Sequence, residues 1–208
     1  MRVIALASLK GGCGKSTLAM NVADGLTRDG RVGVIDADPQ GALRHWGGRA
    51  RDPAMPTVQP GGDDPLPVIA DAMARYRWVI VDCPPSLDMT ITQRVLRAAD
   101  VALIPVLPSP LDLWAGAATV EAVNAARRTN PGLKAGFVIN QAEPASALSR
   151  ALTKALSVLD VPTLTHVVRR RAAYRIAAVE ASSVYRIGAR GRDAACEIDA
   201  LITEVREL

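Results

Sequence analysis

Lys10-Gly11-Gly12-Cys13-Gly14-Lys15-Ser16-Thr17 decides how this 208-residue chain is read. The apolar run Val3-Ile4-Ala5-Leu6-Ala7 precedes it, and the helix-like run Leu18-Ala19-Met20-Asn21-Val22-Ala23 follows. A glycine-rich turn between a strand and a helix forms a cradle for phosphate. Glycines tolerate positive φ and let backbone N–H groups converge on an anion, while the helix start adds unpaired donors and partial positive charge. The backbone from Gly11 through Gly12, Cys13 and Gly14 to Thr17 forms the cradle. Lys15 is placed to reach the β- and γ-phosphates of a nucleotide, and the Ser16 hydroxyl to ligate Mg²⁺.

The ordinary phosphate loop has a glycine five residues before Gly14. This chain has Leu9 there, and a second lysine, Lys10, opens the loop. Lys-Gly-Gly-x-Gly-Lys-Ser/Thr resembles the deviant Walker A motif of the ParA/MinD family of ATPases, most of all its small partition and positioning members. The resemblance implies ATP and Mg²⁺ as cofactors and two distinct lysine roles. Lys15 holds the chain's own nucleotide, and Lys10 reaches across an ATP-bound homodimer to the partner's nucleotide.

Two further acidic sites accompany the loop. The run Val32-Gly33-Val34-Ile35 ends in Asp36-Ala37-Asp38-Pro39-Gln40-Gly41, and Trp78-Val79-Ile80-Val81 ends in Asp82-Cys83-Pro84-Pro85. Acids at the carboxyl ends of strands beside a phosphate loop suit metal or water, and Asp82 has the Walker B arrangement that holds a Mg²⁺ shell. Both stretches resemble family signatures. There the residue matching Asp38 orients the attacking water, the one matching Asp36 supports the Mg²⁺ shell, and the one matching Asn140 lies by the adenine ring.

The length fits a single domain spanning residues 1–208, and the Ala/Val/Leu/Ile-rich composition, with Phe137 the only Phe, suits a buried parallel sheet. Strands are expected at 2–9, 32–35, 55–59, 78–82, 101–106, 135–140 and 163–168. Helices are expected at 15–28, 42–46, 64–76, 89–98, 111–129, 145–159 and 193–208. This alternation suits an α/β fold, and the resemblance implies a doubly wound, mostly parallel sheet with helices on both faces and nucleotide at the strands' carboxyl ends. Cys13, Cys83 and Cys196 have neither disulfide nor zinc spacing, which argues against an iron–sulfur carrier, and His45 has no second ligand near it. Met1 leads almost directly into the first strand, so no signal peptide is expected, and no apolar run approaches the ~18 residues that span a membrane.

Net charge is +4, and Arg169, Arg170, Arg171, Arg175, Arg186, Arg190 and Arg192 fall in one segment with Glu180 as its only acid. Such a concentration predicts a polyanion partner, bound through phosphates without base reading. Arg171-x-x-Tyr174-x-x-Ala177 followed by Ser183-Val184-Tyr185 resembles a block near the C-terminus of plasmid-partition ParA proteins, with Ala181-Ser182 where that block has glycine. By the same resemblance, residues 168–171 serve the nucleotide as well. The last helix has an apolar face of Ala194, Ala195, Ile198, Leu201, Ile202 and Val205 opposite acidic residues. It therefore suits packing on the domain rather than the anionic-lipid binding of MinD-like proteins, and no membrane partner is expected.

The resemblance implies a cytoplasmic, nucleoid-associated ATPase that dimerises with ATP and binds non-specific nucleoid DNA. Its hydrolysis is stimulated by a ParB-like or McdB-like adaptor protein, and its cargo is a plasmid, a chromosome or a protein organelle such as the carboxysome. The alternatives are a MinD-like membrane-cycling ATPase and a metabolic ligase of the dethiobiotin-synthetase type.

Overall fold

The computed structural model describes residues 2–85, 90–143 and 147–208. Fourteen regular elements alternate along it: β1 (Arg2–Leu6), α1 (Lys15–Leu26), β2 (Val32–Asp36), α2 (Ala42–Arg49), β3 (Thr57–Pro60), α3 (Pro65–Arg75), β4 (Trp78–Asp82), α4 (Thr90–Ala98), β5 (Val101–Val106), α5 (Pro110–Arg127), β6 (Lys134–Ile139), α6 (Ala147–Leu156), α7 (Ala172–Val179) and α8 (Arg192–Glu207). The six strands form one sheet in the order β3-β2-β4-β1-β5-β6, and every neighbouring pair is parallel. The expected helix starts at Met89 and Ala145 lie outside the described residues.

Strand periodicity divides the core in two. Ile4, Leu6, Val34, Ile80, Leu103 and Val138 face α1 and α8, whereas Val3, Ala5, Ile35, Val79, Val81, Ile104 and Phe137 face α3 to α6. Both faces are covered, so the strands read as nearly continuous apolar runs. A right-handed crossover puts α1 on one face as the chain moves from β1 to β2. Moving the other way, from β4 through β5 to β6, it puts α4 and α5 on the opposite face. The strand ends that carry the phosphate loop, Asp36, Asp82 and Asn140 consequently share one rim.

Two segments depart from the sequence reading. Residues 163–168 do not form a strand; Thr163 makes an isolated bridge to Phe137 of β6, and a second bridge joins Ala142 to Arg169 just beyond the segment. The N–H groups of Thr165 and His166 donate instead to the Glu204 carboxylate on α8, at 2.7 and 2.9 Å, which draws the chain off β6. The second departure is at Ala181, the position expected to differ from the family's glycine. It lies in the left-handed region at φ +49°. Ser182 N–H donates to Ala177 C=O (2.8 Å) and Ala181 N–H to Ala178 C=O (3.2 Å), closing a Schellman turn after α7. An alanine with this φ carries a strain of roughly 1 kcal/mol. Ala181→Gly is therefore expected to raise stability by about 0.5–1 kcal/mol in urea denaturation; a loss of stability would show that the turn is unstrained.

Candidate nucleotide site

The phosphate loop leaves β1 and closes onto α1, whose first-turn N–H groups have no helical partner. Gly12 and Gly14 adopt φ +77° and +93°. Gly14 has a second reason to lack a side chain, because a Cβ there would collide with the Asn140 amide. That amide braces the loop: Asn140 Nδ2 donates to Cys13 C=O at 2.7 Å, and its Oδ1 accepts from Gln141 N–H at 2.9 Å. Asn140 thus reaches the loop from the end of β6, and its amide is engaged with the backbone.

The two lysines occupy different places. Lys15 is buried, 7% exposed, and its Nζ donates to the carbonyls of Ser8 (3.2 Å) and Lys10 (3.0 Å). The Lys10 side chain is 31% exposed at the rim and forms an ion pair with Asp112 in the first turn of α5. Asp112 itself is buried and also accepts from Ser109 Oγ (2.8 Å) and Leu107 N–H (3.2 Å). Beside it on α5, Leu111 and Trp114 are exposed, Trp114 by 69%.

Asp82 is buried at the end of β4, and its Oδ1 has no hydrogen-bond partner among the described residues. Burial pushes its carboxyl up to about 7, against the pull of the Ser16 hydroxyl and the Lys15 ammonium, with Asp36 and Asp38 adding to the rise. An unpaired buried oxygen beside a hydroxyl and two further acids fits a divalent cation. Among the described residues no group of three His, Cys, Asp or Glu could hold a metal alone. Mg²⁺ keeps waters and takes substrate phosphate oxygens, so it needs few protein ligands. Asp36 is raised by burial too, but its oxygens are engaged: Oδ1 accepts from Asp38 N–H (3.1 Å) and Oδ2 from Arg44 N–H (2.8 Å). Asp36 thus shapes the turn that presents Asp38, whose Oδ1 accepts from Gln40 N–H at 3.0 Å. Cys83 is wholly buried, and burial pushes its thiol far up, so it is inert.

An open cavity of about 210 Å³ adjoins the loop, lined by Gly14, Thr17, Asn140, Val168–Arg171, Tyr174 and Arg175. Gln141, also on its wall, sits at φ +52°, a conformation typical of functional sites.

The arginine segment is divided by the fold. Arg186 does not belong to a free phosphate-binding set. Its guanidinium bridges Asp24, 1% exposed, and Asp52, both at 2.6 Å. Asp24 also takes the Ser183 hydroxyl, and Val184 N–H donates to Asn21 Oδ1 at 2.8 Å, so the Ser183-Val184-Tyr185 block is a tether to α1. Arg171 is likewise engaged, with Asp193 (3.0 Å) and Glu197 (2.8 Å) on α8. These acids lie outside the segment, so its local charge pattern does not reveal them. Arg190 pairs with Glu180 at 2.9 Å, and Arg169 and Arg170 make looser pairs at 3.8 and 3.6 Å; all three stay exposed. Arg175 and Arg192 are exposed with no ion partner among the described residues.

A family model, the CobQ/CobB/MinD/ParA nucleotide binding domain, matches residues 4–184. Maintenance of carboxysome distribution protein A of Halothiobacillus neapolitanus is 52% identical over 205 residues, covering 97% of this chain and 95% of that protein. The protein of the same name from Gloeobacter kilaueensis is 32% identical over 191 residues, 88% of this chain and 83% of its own length. Among solved structures, the ATP complex of McdA from Cyanothece superposes with a TM-score of 0.72 at 19% identity, covering 100% of this chain and 97% of that one.

Three substitutions have expected outcomes here. At pH 8 without nucleotide or divalent cation, Asp82→Asn should melt above wild type, because the buried group ionises in the native state only against its raised value of about 7. The same variant should lose the Mg²⁺-dependent rise in Tm. Arg186→Ala should cost about 3 kcal/mol in denaturant titration by stranding Asp24, while Arg175→Ala should change stability by less than about 0.5 kcal/mol.

Proposed function

The chain belongs to the CobQ/CobB/MinD/ParA nucleotide-binding family, and from that premise we propose that it is a dimerising ParA-type ATPase, one domain long, that positions a carboxysome-like cargo on nucleoid DNA. The observation that carries the reading is the separation of two lysines in one loop. Lys15 is buried among loop carbonyls, where a β/γ-phosphate would take its place as acceptor partner, and Lys10 stands at the rim within reach of a second chain.

In this reading the backbone from Gly11 to Thr17 and the α1 N-terminus hold the phosphates of ATP. Ser16 and Asp82 hold Mg²⁺, with Asp36 fixing the adjoining turn. Bound Mg²⁺ supplies charge neutralisation on the phosphates. Asp38 orients water, and Lys10 leaves Asp112 to reach the partner's nucleotide. Asn140 keeps the loop open beside the base. The DNA surface consists of the exposed arginines, Arg169, Arg170, Arg175, Arg190 and Arg192, with Arg171 and Arg186 holding that surface in place. Phosphate contacts of this kind are sequence-blind and salt-sensitive. An adaptor protein stimulates turnover and ties the cycle to its cargo. The cargo assignment is supported by the name of the 52% identical relative. Among the described residues no helix is long and apolar enough to cross a membrane, and the acidic face of α8 is engaged in ion pairs, which favours a cytoplasmic, nucleoid-associated protein over a membrane-cycling one.

The test is a mobility shift on non-specific duplex DNA with no nucleotide, ADP or ATP at increasing salt. Binding is expected with ATP alone and should fall steeply with salt. Lys15→Ala should abolish ATP binding and the shift together. Asp38→Ala should bind ATP and DNA but lose turnover by about 100-fold or more, a scale typical of losing a water-orienting or transition-state group. Nucleotide-independent DNA binding would overturn the switch, and wild-type turnover in Asp38→Ala would overturn the role of Asp38.

A further inference from the structure

Glu197 lies on α8, far along the chain from the phosphate loop, yet its carboxylate gathers the groups that wall the cavity beside that loop. Its Oε1 accepts from Arg171 Nε at 2.8 Å, and its Oε2 from Arg169 N–H at 3.2 Å and from Tyr174 hydroxyl at 3.4 Å. Arg169, Arg171 and Tyr174 all line the cavity, together with Gly14, Thr17 and Asn140. Glu197 does not line it. One carboxylate thus fixes a backbone position, a guanidinium and a phenol on the same wall.

The rest of the wall segment is set by the sheet. Val168 N–H donates to Ile139 C=O (2.9 Å), Ala142 N–H to Val168 C=O (3.0 Å) and Arg170 N–H to Ala142 C=O (3.0 Å). The Arg169 N–H is the next donor in the segment, and it turns away from the sheet to α8. Adenine offers an amino donor where guanine offers a carbonyl acceptor, so polar groups held in place on this wall can tell the two bases apart. A site of polar groups discriminates between such ligands only while its geometry is held, and a displacement of a few tenths of an ångström is enough to lose the distinction.

We propose that Glu197 is the positioning residue for the base-side wall of the nucleotide cavity, so that the last helix takes part in choosing adenine over guanine. This rests on reading the cavity as the nucleotide site. The charge-assisted bonds from Arg171 are the strong members of the set, and they close the segment onto α8. Glu204 offers a matched control on the same helix. It also accepts two loop N–H groups, from Thr165 and His166, but those residues lie off the cavity wall.

The experiment compares binding of fluorescent ATP, fluorescent GTP and inorganic triphosphate to the full chain, with Tm recorded for each variant. Wild type should prefer ATP to GTP. Glu197→Ala should lower ATP affinity about tenfold and shrink the ATP-to-GTP ratio by a similar factor, while triphosphate binding stays the same. Glu197→Gln, which retains acceptor and donor atoms at that place, should recover part of the ratio. Glu204→Ala should lower Tm with the ratio unchanged. If Glu197→Ala lowers Tm but keeps the wild-type ratio, Glu197 is only a tether and the proposal is overturned. If wild type itself binds ATP, GTP and triphosphate equally, the reading of the cavity as a base site fails instead.

Discussion

A loop that presents its N–H groups to an anion cannot also satisfy them within itself, so something outside must hold its shape. Here the brace comes from β6, two strands away along the same rim. Asn140, at the end of β6, donates to Cys13 C=O, and it can come that close because Gly14 has no side chain. Lys15 fills the inside of the loop by bonding to Ser8 and Lys10 carbonyls. The all-parallel sheet makes the arrangement possible, since it sets the carboxyl ends of β1, β2, β4 and β6 on one rim. Two buried carboxyls, Asp36 and Asp82, then meet beside the loop, and the unpaired oxygen of Asp82 leaves the site suited to a cation.

The parts legible in the sequence were those fixed by local chemistry. The glycine-rich turn, the acids closing β2 and β4, and the apolar runs of the central strands each state their structure within a few residues. What was not legible depended on partners distant in sequence. The stretch 163–168 has strand-like composition, but Glu204 takes two of its N–H groups. Arg186 belongs to a cationic run, but Asp24 and Asp52 claim it. Nothing in the neighbourhood of a residue reveals which acid will stand across from it after folding. The apolar stripe of α8, by contrast, could be read directly, because helical spacing decides which side chains face inward: Ala194, Ile198, Leu201, Ile202 and Val205 are buried, and Ala195 is partly so.

The acidic side of α8 also changes how the charge of the chain is distributed. Asp199 pairs with Arg28, Glu197 with Arg171, Asp193 with Arg171, and Glu204 takes the His166 ring. The helix therefore neutralises part of the arginine segment and leaves the remainder outward. Positive charge at the surface is thus a selected subset of the arginines, held on a neutralised base, which keeps the concentrated cations from repelling one another in the folded state.

The exposure of Trp114 has a spectroscopic meaning. Trp78 is buried and Trp46 donates its indole N–H to Ser182 C=O, so both have surroundings fixed by the fold. Trp114 stands in water two residues beyond the aspartate that holds Lys10. The chain therefore has a native fluorophore on the helix whose first turn pairs with the loop's Lys10. Its emission maximum reports the polarity around that helix, and a shift toward shorter wavelength registers the moment another surface comes to lie against it, with no label attached.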